Sequence, residues 1–174
     1  MQITNFEIKI QMEKIKELIK LLLADFELEN EEEIFANLTL AKENPTAYLK
    51  ENDAEWLDEY APEDALQFAI TNEIYDFIIT GDKIDEIHEI IVDEFEGDFP
   101  EYPYELKLNT QEYLEWVSKQ IDENYPELEL IEFGDSFGDS IQLMLVLKED
   151  VARIKQLSEE LNIRCNKTEE ILKL

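Results

Sequence analysis

The distribution of charge limits this chain more than any other feature. Residues 26–139 hold 34 Asp and Glu against five Lys. Residues 1–25 carry four charges of each sign and residues 140–174 carry six of each, so the whole net charge of −29 sits in the middle of the sequence. Ionised carboxylates stay at the surface unless they are paired, so the central segment must fold with one sign of charge over much of its exterior. Self-repulsion of that size opposes compaction, and a net charge of about −8 already meets the needs of solubility. The excess asks for a role beyond solubility. The alternative is a bacterial cytosolic protein of unknown function that is acidic for solubility alone.

The remaining composition is that of a folded chain. Its 174 residues are 44% apolar, with only 4 Gly and 5 Pro, which suits one domain over 1–174 with a real core. No run approaches the 18 or so apolar residues of a membrane span. The opening MQITNFEIKIQMEKIK lacks the basic and apolar segments of a signal peptide. A single cysteine, Cys165, has no partner for an internal disulfide, and a cytoplasmic location is expected.

Periodicity organises the chain. Ile8, Met12, Ile15, Ile19 and Leu22 predict a helix over 4–24, with Thr4 and Glu7 as a capping box and a short strand through Ile8 and Ile10 as the alternative. Asn30 followed by three Glu predicts a capped helix over 31–43. Residues 46–60 read as one helix or two short ones, and a further helix follows Pro62 to about Thr71. The β-branched and aromatic run 74–80 reads as a buried strand. Asp82 is placed as the cap of a helix over 83–96, and residues 97–105 form a loop. Asn109 and Glu112 form a second capping box for a helix to about Asn124. After Pro126 the period becomes two, and 128–133 and 141–147 read as an antiparallel hairpin around GDSFGDS. Asp150 is placed as the cap of a last helix, with a short strand or helix over 163–174. The expected fold class is α+β: mostly helical, with a three- to four-stranded sheet that includes the C-terminal hairpin.

Few catalytic patterns are present. The chain has no Gly-rich phosphate loop, no GxSxG and no HExxH. His88 falls in the apolar stripe of the 83–96 helix and reads as a core histidine. Arg164 beside Cys165 could lower the thiol pKa, but an ordinary half-buried cysteine explains it as well. Asp135, Ser136, Asp139 and Ser140 are the nearest approach to a hard-cation site, yet Asp and Ser in turns commonly bond their own backbone. No metal or cofactor is expected, and an acid-lined metal-dependent hydrolase ranks last. Direct nucleic-acid binding is opposed by the charge and by the presence of only two arginines. No membrane partner is expected, and the oligomeric state is left open.

Two acidic stretches carry aromatic residues suited to an interface, where rings anchor and charges steer. The first comprises Asp85, Glu86, Glu89, Asp93 and Glu96 on one stripe of the 83–96 helix, with Asp98, Glu101, Tyr102 and Tyr104 in the loop after it. Acids three or four positions apart on a helix lie roughly 5–6 Å apart, close to the phosphate spacing of a nucleic-acid strand. The second comprises Asp53, Glu55, Trp56, Asp58, Glu59 and Tyr60. Spread along duplex geometry, 29 charges match about 49 Å of helix axis, or roughly 14 base pairs.

The segment LELIEFGDSFGDSIQLMLVLKEDVARIKQLSEELNI, residues 128–163, resembles the end of a bacterial family of small acidic proteins of unknown function, which implies a cytosolic α/β or α+β domain and supplies no catalytic residues to carry over. In size and acidity the chain is similar to immunity proteins that neutralise toxins and to anti-restriction or anti-CRISPR proteins that mimic DNA. The expected function is therefore non-enzymatic: an inhibitor or immunity protein that covers the basic surface of a nuclease or another nucleic-acid-binding protein.

Overall fold

The computed structural model describes residues 5–24, 26–168 and 170–171. A four-stranded antiparallel sheet divides the helices into two layers. Its strands are β1 (Ile79–Gly81), β2 (Leu128–Phe133), β3 (Ile141–Leu147) and β4 (Cys165–Lys167), in the order β1-β3-β2-β4. Side chains alternate across a strand, and here both faces are covered. Ile131, Phe133, Met144 and Val146 face one core, while Ile79, Leu130 and Leu143 face the other.

The first core is closed by α1 (Asn5–Leu22), α2 (Glu31–Glu43), α3 (Pro45–Glu51), α4 (Glu55–Tyr60), α5 (Ala65–Glu73) and α8 (Val151–Glu160). The second is closed by α6 (Ile84–Glu94), α7 (Thr110–Asn124) and the segment between them. The α+β expectation holds, mostly helical and with the C-terminal hairpin at the centre of the sheet.

The terminal segments carry most of the cations, and several of these tie elements together. Arg153 of α8 grips Glu17 of α1 through two bonds of 2.6 and 2.8 Å, and Lys14 meets Glu160 at 2.9 Å. Arg164 reaches the buried Glu132 at 3.0 Å and Asp135 at 3.6 Å. Lys148, Arg164 and Lys167 also reach four acids of the middle segment, but with five lysines of its own against 34 acids that segment stays short of counterions.

Several local expectations are corrected. The run 74–80 is a strand only from Ile79. Tyr75–Phe77 form a 3-10 turn, with Tyr75 and Phe77 exposed, because α5 continues to Glu73 and the chain must turn before it can reach β3. Asp82 does not cap α6: Lys83 precedes the helix in extended conformation with no side-chain cap. Asn30 precedes α2 without a cap bond. Asp150 ends a 3-10 turn that runs straight into α8 and likewise makes no cap bond. Residues 46–60 divide into α3 and α4, with Asn44 accepting from the Ala47 N–H. Ile8 and Ile10 are helical and belong to no strand. Thr4 and its capping box lie outside the described residues. The Asn109–Glu112 box is present in both directions, at 2.9 and 3.0 Å.

Candidate functional site

The sheet places the two acidic stretches in different layers. α6 buries Ile87 and Ile91 in the second core, and α4 buries Leu57 in the first. The two stretches are therefore separate surfaces, and neither extends the other.

On α6, Asp85, Glu86, Glu89 and Asp93 are all exposed, opposite Ile87, His88 and Ile91. Glu96 is not part of that stripe. The helix stops at Glu94, and Glu96 takes a left-handed conformation (φ 53°) that closes it: the Glu96 N–H donates to Asp93 O and the Gly97 N–H donates to Val92 O, both at 2.9 Å. Among the described residues, Lys83 with Glu86, at 2.6 Å, is the one ion pair within 82–105, a segment with ten acids and a single lysine. The C-terminal end of α6 stands out. Asp93 and Glu94 lie in its last turn, with no basic residue there. The partial negative charge of the helix end opposes them, and Glu96 and Asp98 follow directly. α7 also ends in acids, but Asp122 is paired with Lys148 and Glu123 with Lys119.

The 97–105 loop is held down by rings and by His88. Phe95 stacks on Phe99 and on Tyr125 at centroid distances of 4.9 and 4.1 Å, and the Tyr125 hydroxyl donates to Asp98 O. His88 Nε2 lies 2.9 Å from Pro100 O, and Nδ1 lies 3.1 Å from the Tyr113 hydroxyl. A carbonyl only accepts, so Nε2 carries the proton and the neutral ring accepts from Tyr113 at Nδ1. Burial pushes the His88 pKa below its ordinary value, against the Pro100 bond and the charge of Glu89, which both raise it. His88 is the core histidine that its apolar stripe suggests, and its work is to fasten the acidic helix to the acidic loop.

That fastening changes the reading of the loop tyrosines. Tyr102 is half-buried against His88, Tyr113 and Tyr104, at 5.5, 5.7 and 4.7 Å. Burial raises its hydroxyl pKa, with Asp85 and Tyr104 adding to the shift. Tyr102 anchors the loop, whereas Tyr104 stands 69% exposed between Glu101 and Glu105. Trp116, half-buried, and Tyr113, fully buried, pack beneath them.

In the other layer, Asp53 ends α3 in the same left-handed conformation (φ 53°), and Asp58 accepts a bond from the Thr46 hydroxyl. Glu55, Glu59 and Tyr60 are exposed. Trp56 is 43% exposed and meets Phe137 and Phe68 edge-on, at 5.7 and 6.3 Å. Phe137 was legible in sequence only as part of a turn. It is an aromatic residue at φ 55°, where side chains rarely sit, and its N–H donates to Asp135 Oδ1 at 2.8 Å. The GDSFGDS turn thus bonds its own backbone, as its residue types suggest, and in doing so it carries a ring to Trp56.

Neither reactive group of the sequence is activated. Burial pushes the Cys165 thiol up to about 11, and the neighbouring Arg164 does not lower it. Among the described residues, no three His, Cys, Asp or Glu side chains are grouped to hold a metal ion, and no helix is long and apolar enough to cross a membrane. No protein-family model matches the chain, and neither curated proteins nor solved structures include a significant match to it.

Proposed function

We propose that this protein is a non-enzymatic inhibitor that covers the basic surface of a nucleic-acid-handling protein, either a toxin nuclease to which it confers immunity or a defence nuclease for which it stands in place of DNA. The C-terminal end of α6 carries this reading. Asp93, Glu94, Glu96 and Asp98 crowd a helix end that disfavours them, without the lysines that offset the same arrangement on α7. Stability alone selects against such a cluster. A surface that must capture a cationic partner quickly gains from it, because a one-signed field raises the encounter rate. The loop held by His88 runs back along α6 from that end towards Asp85 and adds Glu101, Tyr104 and Glu105 to the same layer, giving ring area for residence as well as charge for steering. The partner is a basic protein, with no direct nucleic-acid contact, and the setting is the cytoplasm.

The test is capture from a host extract followed by assay. The reading expects a basic nuclease or nucleic-acid-binding protein that is released by duplex DNA and loses its activity when this chain is added. Capture only of partners that DNA does not displace, or of a nuclease whose activity is unchanged, refutes it.

A further inference from the structure

α1 and the segment that leads into α2 enclose an open groove of about 1070 Å³. Ile19 and Leu23, both buried, form its floor with the half-buried Phe35, while Ile10 and Phe26 line it from exposed positions. Phe26 is 71% exposed, and Phe6, one turn before Ile10 on the same face of α1, is 72% exposed. Apolar groups gathered in this way mark an interaction surface, unlike the single exposed residues that any protein shows. The charges of the groove are sorted by wall. The α1 wall has Lys14, Lys16 and Lys20 against Glu13 and Glu17, and the facing wall has Glu27 and Glu31 with no cation. Lys14 and Glu17 are engaged by Glu160 and Arg153 of α8, whereas Lys16 lies over the Phe35 ring, 5.3 Å from its centre.

A second copy of this chain suits both the apolar floor and the sorted walls. Two molecules of net charge −29 repel each other, so their contact of least repulsion is one where acids are matched by cations. The segments 82–105 and 51–64 offer no such match, with ten acids to one lysine and seven acids to none. At the groove, a twofold axis sets the lysine wall of one copy against the glutamate wall of the other. It does so twice, because every pairing in an isologous contact occurs in both directions. The same rotation carries each exposed Phe26 to the apolar floor of the facing groove. We propose that this chain forms a twofold dimer through the α1–α2 groove, with Lys16 and Lys20 of one copy facing Glu27 and Glu31 of the other. α6 lies across the sheet from α1, so its acids stay clear of the contact on both copies. The dimer does not depend on the basic-partner reading.

The test is sedimentation velocity of the full chain at about 0.5 M NaCl, where screening over roughly 4 Å suppresses repulsion between distant charges. Across about 5–500 µM, a span suited to a contact smaller than a standard interface, the mass is expected to rise from monomer towards dimer. Phe26→Ser is expected to weaken association about tenfold, as the loss of an aromatic anchor does. Tyr75→Ser, which removes an exposed ring outside the groove, is expected to leave it unchanged. The walls are tested by reversal. Lys16→Glu with Lys20→Glu, and Glu27→Lys with Glu31→Lys, change only exposed side chains. Each double variant alone is expected to lose self-association, and an equimolar mixture of the two is expected to regain a dimer with one copy of each. Net charge by itself forecasts the opposite for the second variant, which is less acidic than the parent. A mass that stays monomeric at every concentration, a dimer that Phe26→Ser leaves intact, or a mixture no more associated than its components overturns the proposal. None of these outcomes touches the capture of a basic partner.

Discussion

His88 donates from Nε2 to the carbonyl oxygen of Pro100 at 2.9 Å, and this one bond joins the acidic helix α6 to the acidic loop that follows it. The ring is 3% exposed, so the proton that would charge it is excluded in the folded state and accepted in the unfolded one. The folded pKa lies below the ordinary 6.5, and this contribution to stability is present above about 6.5 and lost as pH falls towards the folded value. Denaturant titrations between about pH 7.5 and 5.5 should show that loss. His88→Phe should remove that part of the pH dependence. It should also cost about 1–3 kcal/mol at pH 7.5, because the buried Tyr113 hydroxyl and Pro100 carbonyl lose their partner. An unchanged pH profile in the variant would show that His88 is not the titrating group.

Two proposed interface acids, Asp53 and Glu96, occupy left-handed positions that end α3 and α6. Glycine takes that conformation without the clash at Cβ. Asp53→Gly and Glu96→Gly should each stabilise the fold by about 1 kcal/mol, read as a higher denaturation midpoint with the slope unchanged. A loss of stability in either would mean that the carboxylate itself holds the turn.

These positions show what the sequence could and could not convey. The capping box at Asn109 and the hairpin from Leu128 to Leu147 were legible because each is a local pattern that tertiary contacts reinforce. The 74–80 strand failed because β-branched and aromatic content reports a preference for sheet, whereas the pairing of Ile79 with Leu143 fixes where the sheet begins. Glu96 was assigned to a helical stripe because the wheel does not reveal that α6 stops two residues earlier. The pairing of Trp56 with Phe137 spans 81 positions, and no periodicity connects residues so far apart. The acidic surfaces were legible as composition. Their separation by the sheet was not, because it depends on which face of the sheet each helix covers.

Gly134 and Gly97 both have positive φ, at 75° and 83°, but differ in their surroundings. A Cβ at Gly134 would overlap Thr71 Cγ2 and press on Gln142 Oε1 at 3.1 Å, whereas one at Gly97 meets nothing within 4 Å. Gly97→Ala should cost about 1 kcal/mol, the backbone term alone. Gly134→Ala should cost about 1–3 kcal/mol more, because Thr71 is buried in α5 and must move. Equal midpoints for the two variants in chemical denaturation would remove the steric part of the argument.

Salt should stabilise this fold. Most acids of the 82–105 and 51–64 segments have no ion pair among the described residues, so screening relieves repulsion while breaking few attractive contacts. The Debye length falls from about 10 Å at 0.1 M to about 3 Å at 1 M, and the melting temperature should climb across that interval. A flat or falling curve would mean that the carboxylates are too far apart to repel, and the argument for a concentrated field would go with it.

If the acids of α6 serve capture, they set it against stability, and that opposition can be measured. Asp93 and Glu94 lie where the helix dipole is negative, so Asp93→Asn with Glu94→Gln should raise stability by about 0.3–1 kcal/mol per residue at low salt. Extending the change to Glu86→Gln and Glu89→Gln also removes the Lys83 pair, an exposed contact of small worth. The fourfold variant should therefore remain folded, with a melting temperature at or above that of the parent. If the surface captures a basic partner, the same variant should associate more slowly, and the fall of its association rate with salt should flatten, because the charges that steer the encounter are gone. Dissociation should change less, since Tyr104 and the loop are untouched. A variant that is more stable yet associates at the parent's rate, with the same salt dependence, would show that the α6 acids take no part in capture. An interface would then have to be sought on α4, on the other face of the sheet.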